Sequence, residues 1–403
     1  MNRKSFFQGT HRAISPAQTL ARIEPCVAAL GITRVANITG LDTIGIPVVM
    51  ACRPNSLSLA VTQGKGLTLE SAKASALMEA VECYHAERIT APLRMASYED
   101  LSRTANVVDV SKLPLLKGSP FHPSLRILWV EGRDWSTGQP VWIPYRSVHT
   151  IYTAGSRAED PCFFSSTNGL ASGNVFLEAL SHGICEVVER DSSALLALAP
   201  DKEHISRQLN LDTVNDPECR MLLDLFHQAR VAVIVWETTS EIGIPSFDCV
   251  IIDRQFDPSF GMGGAGGSGC HPCRAIALSR ALTEAAQSRL TFIAGSRDDC
   301  VRSQYLTWLD PDLTVATRRI VCEDQGTRSF ALAPTFESDT FEEDVRFELE
   351  RLNSAGFHDV LYVELTNPAD SYSVARVLIP GLEPVEGPIV PGPRARQRME
   401  KLT

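Results

Sequence analysis

The stretch Glu178–Asp191, EALSHGICEVVERD, restricts the fold more than any other. Glu178, His182, Glu186 and Glu189 recur at spacings of four, four and three. At about 100° per residue they lie in one line along a helix. Around that line stand Val175, Phe176, Leu177, Leu180, Ile184, Cys185, Val187 and Val188. A helix that is apolar nearly all round is buried. A buried row of carboxylates is costly unless it is paired or holds a cation. The chain must therefore enclose this row and bring positive charge to it.

Two other stretches repeat the pattern. Ser75, Glu79 and Glu82 in SALMEAVE, and Arg280, Glu284 and Gln287 in RALTEAAQ, share the four-and-three spacing of His182, Glu186 and Glu189. The spacing predicts helices over 68–89 and 273–293, the first capped by Thr68. One charged stripe is usually a solvated face. Three on otherwise apolar helices point instead to convergence, which would gather Glu79, Glu82, Glu186 and Glu189. Four carboxylates share a dry site only with cations. Such oxygen ligands suit Mg2+, which is commonly held by a few carboxylates together with nucleotide phosphates. Arg190, Arg280 and Lys65 are the cations that would meet phosphate oxygens, with Lys65 at a helix start.

The rest of the chain alternates strand and helix patterns, an α/β class. A helix is expected from Pro16 to a stop at Gly31, and another over 341–356. Strands are expected at 46–53, 56–61, 231–238, 247–253, 359–365 and 372–380, with a hairpin of 126–134 and 141–148. Gln63–Gly66 reads as a turn, 165–174 as a small-residue loop and 261–269 as a glycine-rich loop. Neither nucleotide fingerprint is satisfied. No glycine stands in the Walker frame ahead of Gly64–Lys65. Gly261–Gly266 matches GxGxxG by letter, but no tight βαβ unit surrounds it. Cys270-His271-Pro272-Cys273 is a CxxC at a helix start, open to a sulfur-handling or a plain structural reading, and no second CxxC completes a zinc site. No composition break marks a linker. One domain, lobed or not, is expected over 1–388, followed by a mobile basic tail over 389–403 with Arg394, Arg396 and Arg398.

Composition excludes several classes. The 38 basic and 48 acidic residues leave a net charge of −10, which argues against nucleic-acid binding. No apolar run has the length of a membrane span, and the first residues lack the apolar core of a secretory signal. The 11 cysteines are scattered and odd in number, the usage of a reducing, cytoplasmic compartment.

Taken together, QGKGLTLESAKASALMEAVE, STNGLASGN with HGICEVVERD, and ALSRALTEAAQSR resemble the YcaO family. GTHRAISPAQTL and GITRVANITGLDTIGIPV are similar to its stand-alone members, and PGLEP at 380–384 fits as well. The resemblance implies a YcaO-type ATP-binding fold, three polar-striped buried helices against mixed β-sheets, that is neither P-loop nor Rossmann. It implies ATP and Mg2+ as cofactors, and activation of a peptide backbone amide by phosphorylation of its oxygen. Attack by a neighbouring Cys, Ser or Thr then gives an azoline; attack by external sulfide gives a thioamide. By the same resemblance Glu79 with Glu82, and Glu186 with Glu189, are the magnesium-binding pairs. Ser75 and Arg190 face the nucleotide, Arg280 meets phosphate, and Arg12 and Thr19 belong to an N-terminal nucleotide-contacting segment. His182 stands where some members carry glutamine and joins the nucleotide-facing set without an assigned role. Azoline-forming members often end in a proline-rich PxPxP segment; here PGP at 391–393 is followed by a basic end. That favours the thioamide-forming group and its TfuA-type partner protein. The other partners implied are a peptide or protein substrate and a sulfide source or sulfur-delivery protein, with no nucleic acid and no membrane; a homodimer is left open. Azoline formation is the second reading. An ATP-binding scaffold without peptide chemistry is the third.

Overall fold

The computed structural model describes residues 2–153, 161–255, 263–323, 326–384 and 387–401. Helix α1 (Pro16–Ile23) precedes a three-stranded antiparallel sheet of β1 (Arg34–Asn37), β2 (Val48–Cys52) and β3 (Val61–Lys65), and β3 runs into α2 (Leu69–Ala86). Next come β4 (Leu93–Ser97), α3 (Tyr98–Ser102), the hairpin of β5 (Arg126–Asp134) and β6 (Pro140–Pro144), and β7 (Leu170–Gly173), which runs into α4 (Phe176–Ala197). The short elements α5 (Asp201–Arg207) and β8 (Leu209–Asn210), with α6 (Pro217–Gln228), lead to a second three-stranded antiparallel sheet. Its strands are β9 (Val231–Glu237), β10 (Ser246–Asp253) and β11 (Ala265–Cys270), and β11 runs into α7 (Arg274–Ala294). The chain continues through α8 (Arg302–Trp308), α9 (Pro311–Glu323), β12 (Arg328–Ser329), α10 (Phe341–Ser354), β13 (Leu361–Glu364), β14 (Ser373–Leu378) and α11 (Pro393–Glu400). The largest sheet has the order β4-β5-β13-β14-β7, with β6 on β5. The whole is mixed α/β.

One unit occurs three times: an edge strand of an antiparallel sheet followed directly by a site helix, as β3–α2, β7–α4 and β11–α7. In all three of these units a glycine lets strand and helix backbones touch, a Cβ on Gly173 of β7 standing 2.6 Å from Ala179 N of α4. A Cβ on Gly64 would stand 2.0 Å from Ala76 N, and one on Gly267 would stand 2.2 Å from Ala285 N. Facing alanines complete the fit, since Ala72, Ala76, Ala281 and Ala285 are all buried. The apolar sides of α2, α4 and α7 then enter three separate cores. Leu77 and Val81 pack with Trp129 and Ile143, Leu180 and Ile184 with Val345 and Leu352, and Leu278 and Leu282 with Phe226 and Phe247. With the apolar sides spent on the cores, the polar stripes are left to face one another.

The helices expected at 68–89 and 273–293 are present as α2 and α7. Thr68 caps α2 by accepting from Ser71 N, and α7 ends at Gly295 in the left-handed region, φ 57°. Other local expectations are corrected. The alternating segment 56–60 is no strand, because Ser56 and Ser58 turn their hydroxyls to Glu87 at 2.6 Å, and Arg53 holds the same carboxylate at 2.8 Å. Gln63–Lys65 is the end of β3 rather than a turn. The small-residue loop contains strand β7, and the glycine-rich loop supplies β11; Gly261 and Met262 lie outside the described residues. In both places small residues serve close packing against a helix. The first helix stops at Ile23, ahead of Pro25, and not at Gly31.

Where a mobile basic tail is expected, the chain docks as α11. Glu383 accepts from Gly392 N and Ala395 N at the helix start. Arg394 pairs with the fully buried Asp191 at 2.9 Å and with Glu241 at 2.5 Å, and Arg398 pairs with Glu203. Arg394 and Arg398 thus meet carboxylates on the body of the protein, while Arg396 donates to the Pro391 carbonyl. Among the described residues no helix is long and apolar enough to cross a membrane.

Candidate functional site

The three stripes line one cavity of about 430 Å³. Ser75, Glu79 and Glu82 come from α2; Glu178, His182, Glu186, Glu189 and Arg190 from α4; Arg280, Glu284 and Gln287 from α7. Lys65 enters from the end of β3, and Arg12 and Thr19 from the N-terminal segment and α1. Every residue singled out for the site from sequence therefore borders one space.

The side chains are held in a network. Ser172 donates to Glu82 at 2.6 Å. Lys65 pairs with Glu284 at 2.5 Å, and Ser268 N also donates to Glu284 at 3.4 Å. Gln287 donates to the Gln63 carbonyl at 2.9 Å, which ties α7 to β3. Arg190 reaches Glu186 at 4.0 Å and Glu189 at 3.9 Å, contacts loose enough to be exchanged for a ligand. Arg280 Nη1 lies 2.9 Å from His182 Nδ1. A guanidinium can only donate, so His182 Nδ1 accepts and the ring's proton is on Nε2. Burial, with Arg280, Arg12 and Lys65 nearby, pushes the His182 pKa well below its usual value, so the ring is neutral. It offers the cavity an N–H donor, which a glutamine at this position could also supply.

Glu178 is not a ligand candidate. It accepts from Arg12 at 3.2 Å, Ala13 N at 3.3 Å and Asn174 N at 3.1 Å, and so fastens the N-terminal segment to the first turn of α4. Thr19 donates to Asn174 Oδ1 at 3.0 Å beside it. Cys270 and Cys273 are buried free thiols.

Burial raises Glu79 to about 7 against the pull of Arg297 and Lys65. It raises Glu82 to about 8, with the Ser172 bond opposing and Glu79 and Glu186 adding to it. Glu189 reaches about 7 through burial that Arg190 only partly offsets, and Glu186 moves in the same direction. Glu284 is the exception: burial would raise it, but Lys65, Arg190 and Arg280 draw it down to about 2. One carboxylate is thus already neutralised by the protein, and four lack sufficient counter-charge.

That donor set fits Mg2+ with a nucleotide. Hard carboxylate oxygens face a polar cavity, and Glu79 and Glu82 have no ion-pair partner among the described residues. No three of these carboxylates converge closely enough to cage an ion unaided. Among the described residues only His11, His271 and Asp344 do so, within 4.8 Å. Mg2+ prefers an incomplete protein shell finished by phosphate and water. The histidine trio is poorly suited to a cation: Lys4 sits on Asp344 at 2.6 Å, and His271 Nδ1 accepts from Cys273 N, which leaves the proton on Nε2.

A pH dependence follows. Glu79, Glu82 and Glu189 have folded pKa values above their ordinary 4.5, while His11, His85, His182 and His271 are lowered from 6.5 and act the other way below it, so between about pH 6.5 and 8 the folded chain binds more protons than the unfolded one. Stability of the ligand-free protein should fall as pH rises through that window. Added magnesium and a non-hydrolysable ATP analogue should raise the melting temperature by an increment that grows with pH. Melting curves from about pH 5 to about pH 9 check this. A constant increment would contradict it.

Sequence reasoning left Glu284 out of the site set, although it occupies the middle of its stripe as Glu79 and Glu186 do. Arg297, Ser172, Asn174 and Gln63 carried no periodic signal, since they lie on strands and loops.

Known proteins resemble this chain over most of its length. A family model described as YcaO cyclodehydratase, ATP- and Mg2+-binding, matches residues 63–383. A protein of Rhizobium leguminosarum bv. trifolii, named as an uncharacterized protein in the tfuA 3' region, is 37% identical over 379 residues, 92% of this chain and 88% of that one. An uncharacterized protein of Methanothermobacter thermautotrophicus is 34% identical over 382 residues, 92% and 95% of the two chains. Among solved structures, YcaO from Methanopyrus kandleri bound with AMPPCP and Mg2+ superposes with a TM-score of 0.74 at 23% identity, over 95% of each chain. A heterocyclase in complex with substrate and cofactor gives 0.77 at 21% identity. The match covers 96% of this chain and 55% of the heterocyclase, so this chain spans about half its length.

Proposed function

The chain belongs to the YcaO family, with ATP and Mg2+ as its cofactors, and we propose that it uses them to convert a peptide backbone amide into a thioamide. Bound Mg2+ and ATP would supply a phosphoryl group, with its charge neutralised, to the amide oxygen. Glu79 with Glu82 and Glu186 with Glu189 would hold the metal. Ser75, Arg12 and Thr19 would position the nucleotide, and Lys65, Arg190, Arg280 and the N–H of His182 would face the phosphates. Phosphoryl transfer is chiefly positioning and charge stabilisation, so it asks for this kind of cavity rather than a nucleophilic side chain.

The observation that carries the reading is the convergence of three polar stripes, with four under-neutralised carboxylates, on one cavity. One point favours sulfide as the nucleophile: the relative in the tfuA 3' region. The partners would be the peptide, a sulfide source and a TfuA-type protein. Azoline formation is the second reading, favoured by the cyclodehydratase description of the family.

The test is mass spectrometry of peptides incubated with the full chain, its TfuA-type partner, MgATP and hydrosulfide. The expected result is the mass gain of an oxygen-to-sulfur exchange, with one ADP formed per exchange. Loss of water would select the azoline reading. Neither mass change nor ATP turnover, with the partner present, would refute both.

A further inference from the structure

Beyond the carboxylates, a second polar cluster abuts the cavity and has no role in the reading above. Its centre is Arg376 on β14, only 3% exposed and paired in register with Leu170 of β7. Arg376 Nη2 donates to the Ser166 carbonyl at 2.7 Å, while Nε and Nη1 have no acceptor. Arg146 Nε, Ser147 Oγ, Thr150 Oγ1 and Asn168 Oδ1 are likewise buried without a partner. Among the described residues neither guanidinium has a carboxylate at ion-pair distance. Tyr152 and Glu186 act on the charge of Arg376, and Tyr152 also feels Arg146. Glu186, Leu170 and Thr167 border the cavity, so the cluster lies behind its wall at that end. Tyr152 itself is 40% exposed, while the unpartnered atoms of the cluster are buried.

A buried guanidinium without a counter-ion is among the costliest arrangements a protein can hold. Ordered water can satisfy the spare N–H groups but cannot cancel the charge. An anion does both. The unpartnered atoms are closed to bulk solvent, so the anion must be small.

We propose that Arg376 and Arg146 form an anion subsite at the Thr167 end of the cavity, and that it takes hydrosulfide, the anionic nucleophile. The inference rests on the thioamide reading. Hydrosulfide held there approaches the amide carbon from the side of Glu186. A C–S bond forms at the carbon that carries the phosphorylated oxygen. The C–O bond breaks, its electron pair leaves with phosphate, and the sulfide's proton ends on that phosphate. Amide, ATP and hydrosulfide thus give thioamide, ADP and hydrogen phosphate, with no oxidant or reductant required.

Bromide is the structural probe. Crystals of the full chain soaked in sodium bromide should show anomalous density at hydrogen-bond distance from Arg376, and crystals of Arg376→Met should not. Methionine replaces an unpaired buried charge with an apolar group of similar length, so the variant should fold. Arg376→Lys, which keeps the charge, is the second variant. The KM for hydrosulfide should rise about ten- to a hundredfold in Arg376→Met and less in Arg376→Lys, with AMPPCP affinity in the presence of Mg2+ held within about twofold. No bromide at Arg376 would overturn the proposal, as would bromide persisting in Arg376→Met (an adventitious ion only). A fall in AMPPCP affinity that matches the loss of activity would also overturn it, by making Arg376 a counter-charge for Glu186. If no thioamide forms with any peptide, the chemical reading fails, while the bromide and AMPPCP measurements still decide whether the subsite exists.

Discussion

Glu186→Gln is expected to lower kcat/KM by about a hundredfold or more while leaving the fold intact. The substitution keeps the size of the side chain and removes its charge. Glu186 stands at the middle of the α4 stripe, borders the cavity, and is within reach of Arg190 at 4.0 Å. Its carboxylate is raised by burial, with Arg190, Arg280 and Arg376 opposing. Without a cation it is a cost to the protein; in the proposed reading, with one it would be a ligand. The variant should therefore melt at a higher temperature than the parent when free, because a poorly neutralised buried charge is gone. It should also lose most of its stabilisation by magnesium and an ATP analogue. Calorimetric titration and melting curves read both effects. Unchanged nucleotide affinity and turnover would refute the metal assignment, and a lower melting temperature without ligand would point to a structural role.

Gly64→Ala should be the most damaging small substitution in the fold, costing roughly 3 kcal/mol or more. The added Cβ would stand 2.0 Å from Ala76 N and 2.4 Å from Ala72 O. Both obstacles are helix backbone, which cannot swing aside as a side chain can. Strand β3 would have to lift away from α2, taking Gln63 and Lys65 with it and breaking the bonds to Gln287 and Glu284. Gly40→Ala is the control, since nothing lies within 4 Å of the new atom. It should stay within about 0.5 kcal/mol of the parent. Denaturant midpoints measure the difference; equal midpoints would show that the strand and helix are less tightly joined than the geometry requires.

The lining of the cavity was largely legible because its candidate ligands sit on helices. Helical periodicity turns a spacing of four and three into a shared face, so Glu79 with Glu82 and Glu186 with Glu189 could be grouped before any contact was known. Glu284 carried the same signal. Strands and loops gave much less. Gln63, Gly64 and Lys65 look like a turn because a turn and a close strand–helix contact both demand glycine. Ser56 and Ser58 alternate with leucines as a strand would, yet Glu87, some thirty residues away, holds their hydroxyls. The basic end looks loose until Asp191, Glu203 and Glu241 are seen to receive it.

By itself, then, the sequence determined the three apolar helices, the direction each stripe faces relative to its apolar side, and the need for cations beside the carboxylates. These are properties of one helix at a time, and periodicity and desolvation settle them. Only the tertiary structure decided that the stripes meet, because meeting depends on three strand–helix contacts that glycines permit and three cores that draw the apolar faces apart. It also separated residues that are equivalent along one stripe. Glu178 is bound by Arg12 and by backbone N–H groups, Glu284 by Lys65, and Glu186 is left with loose pairing. Which carboxylate is neutralised depends on partners far apart in the chain, and no local pattern encodes them.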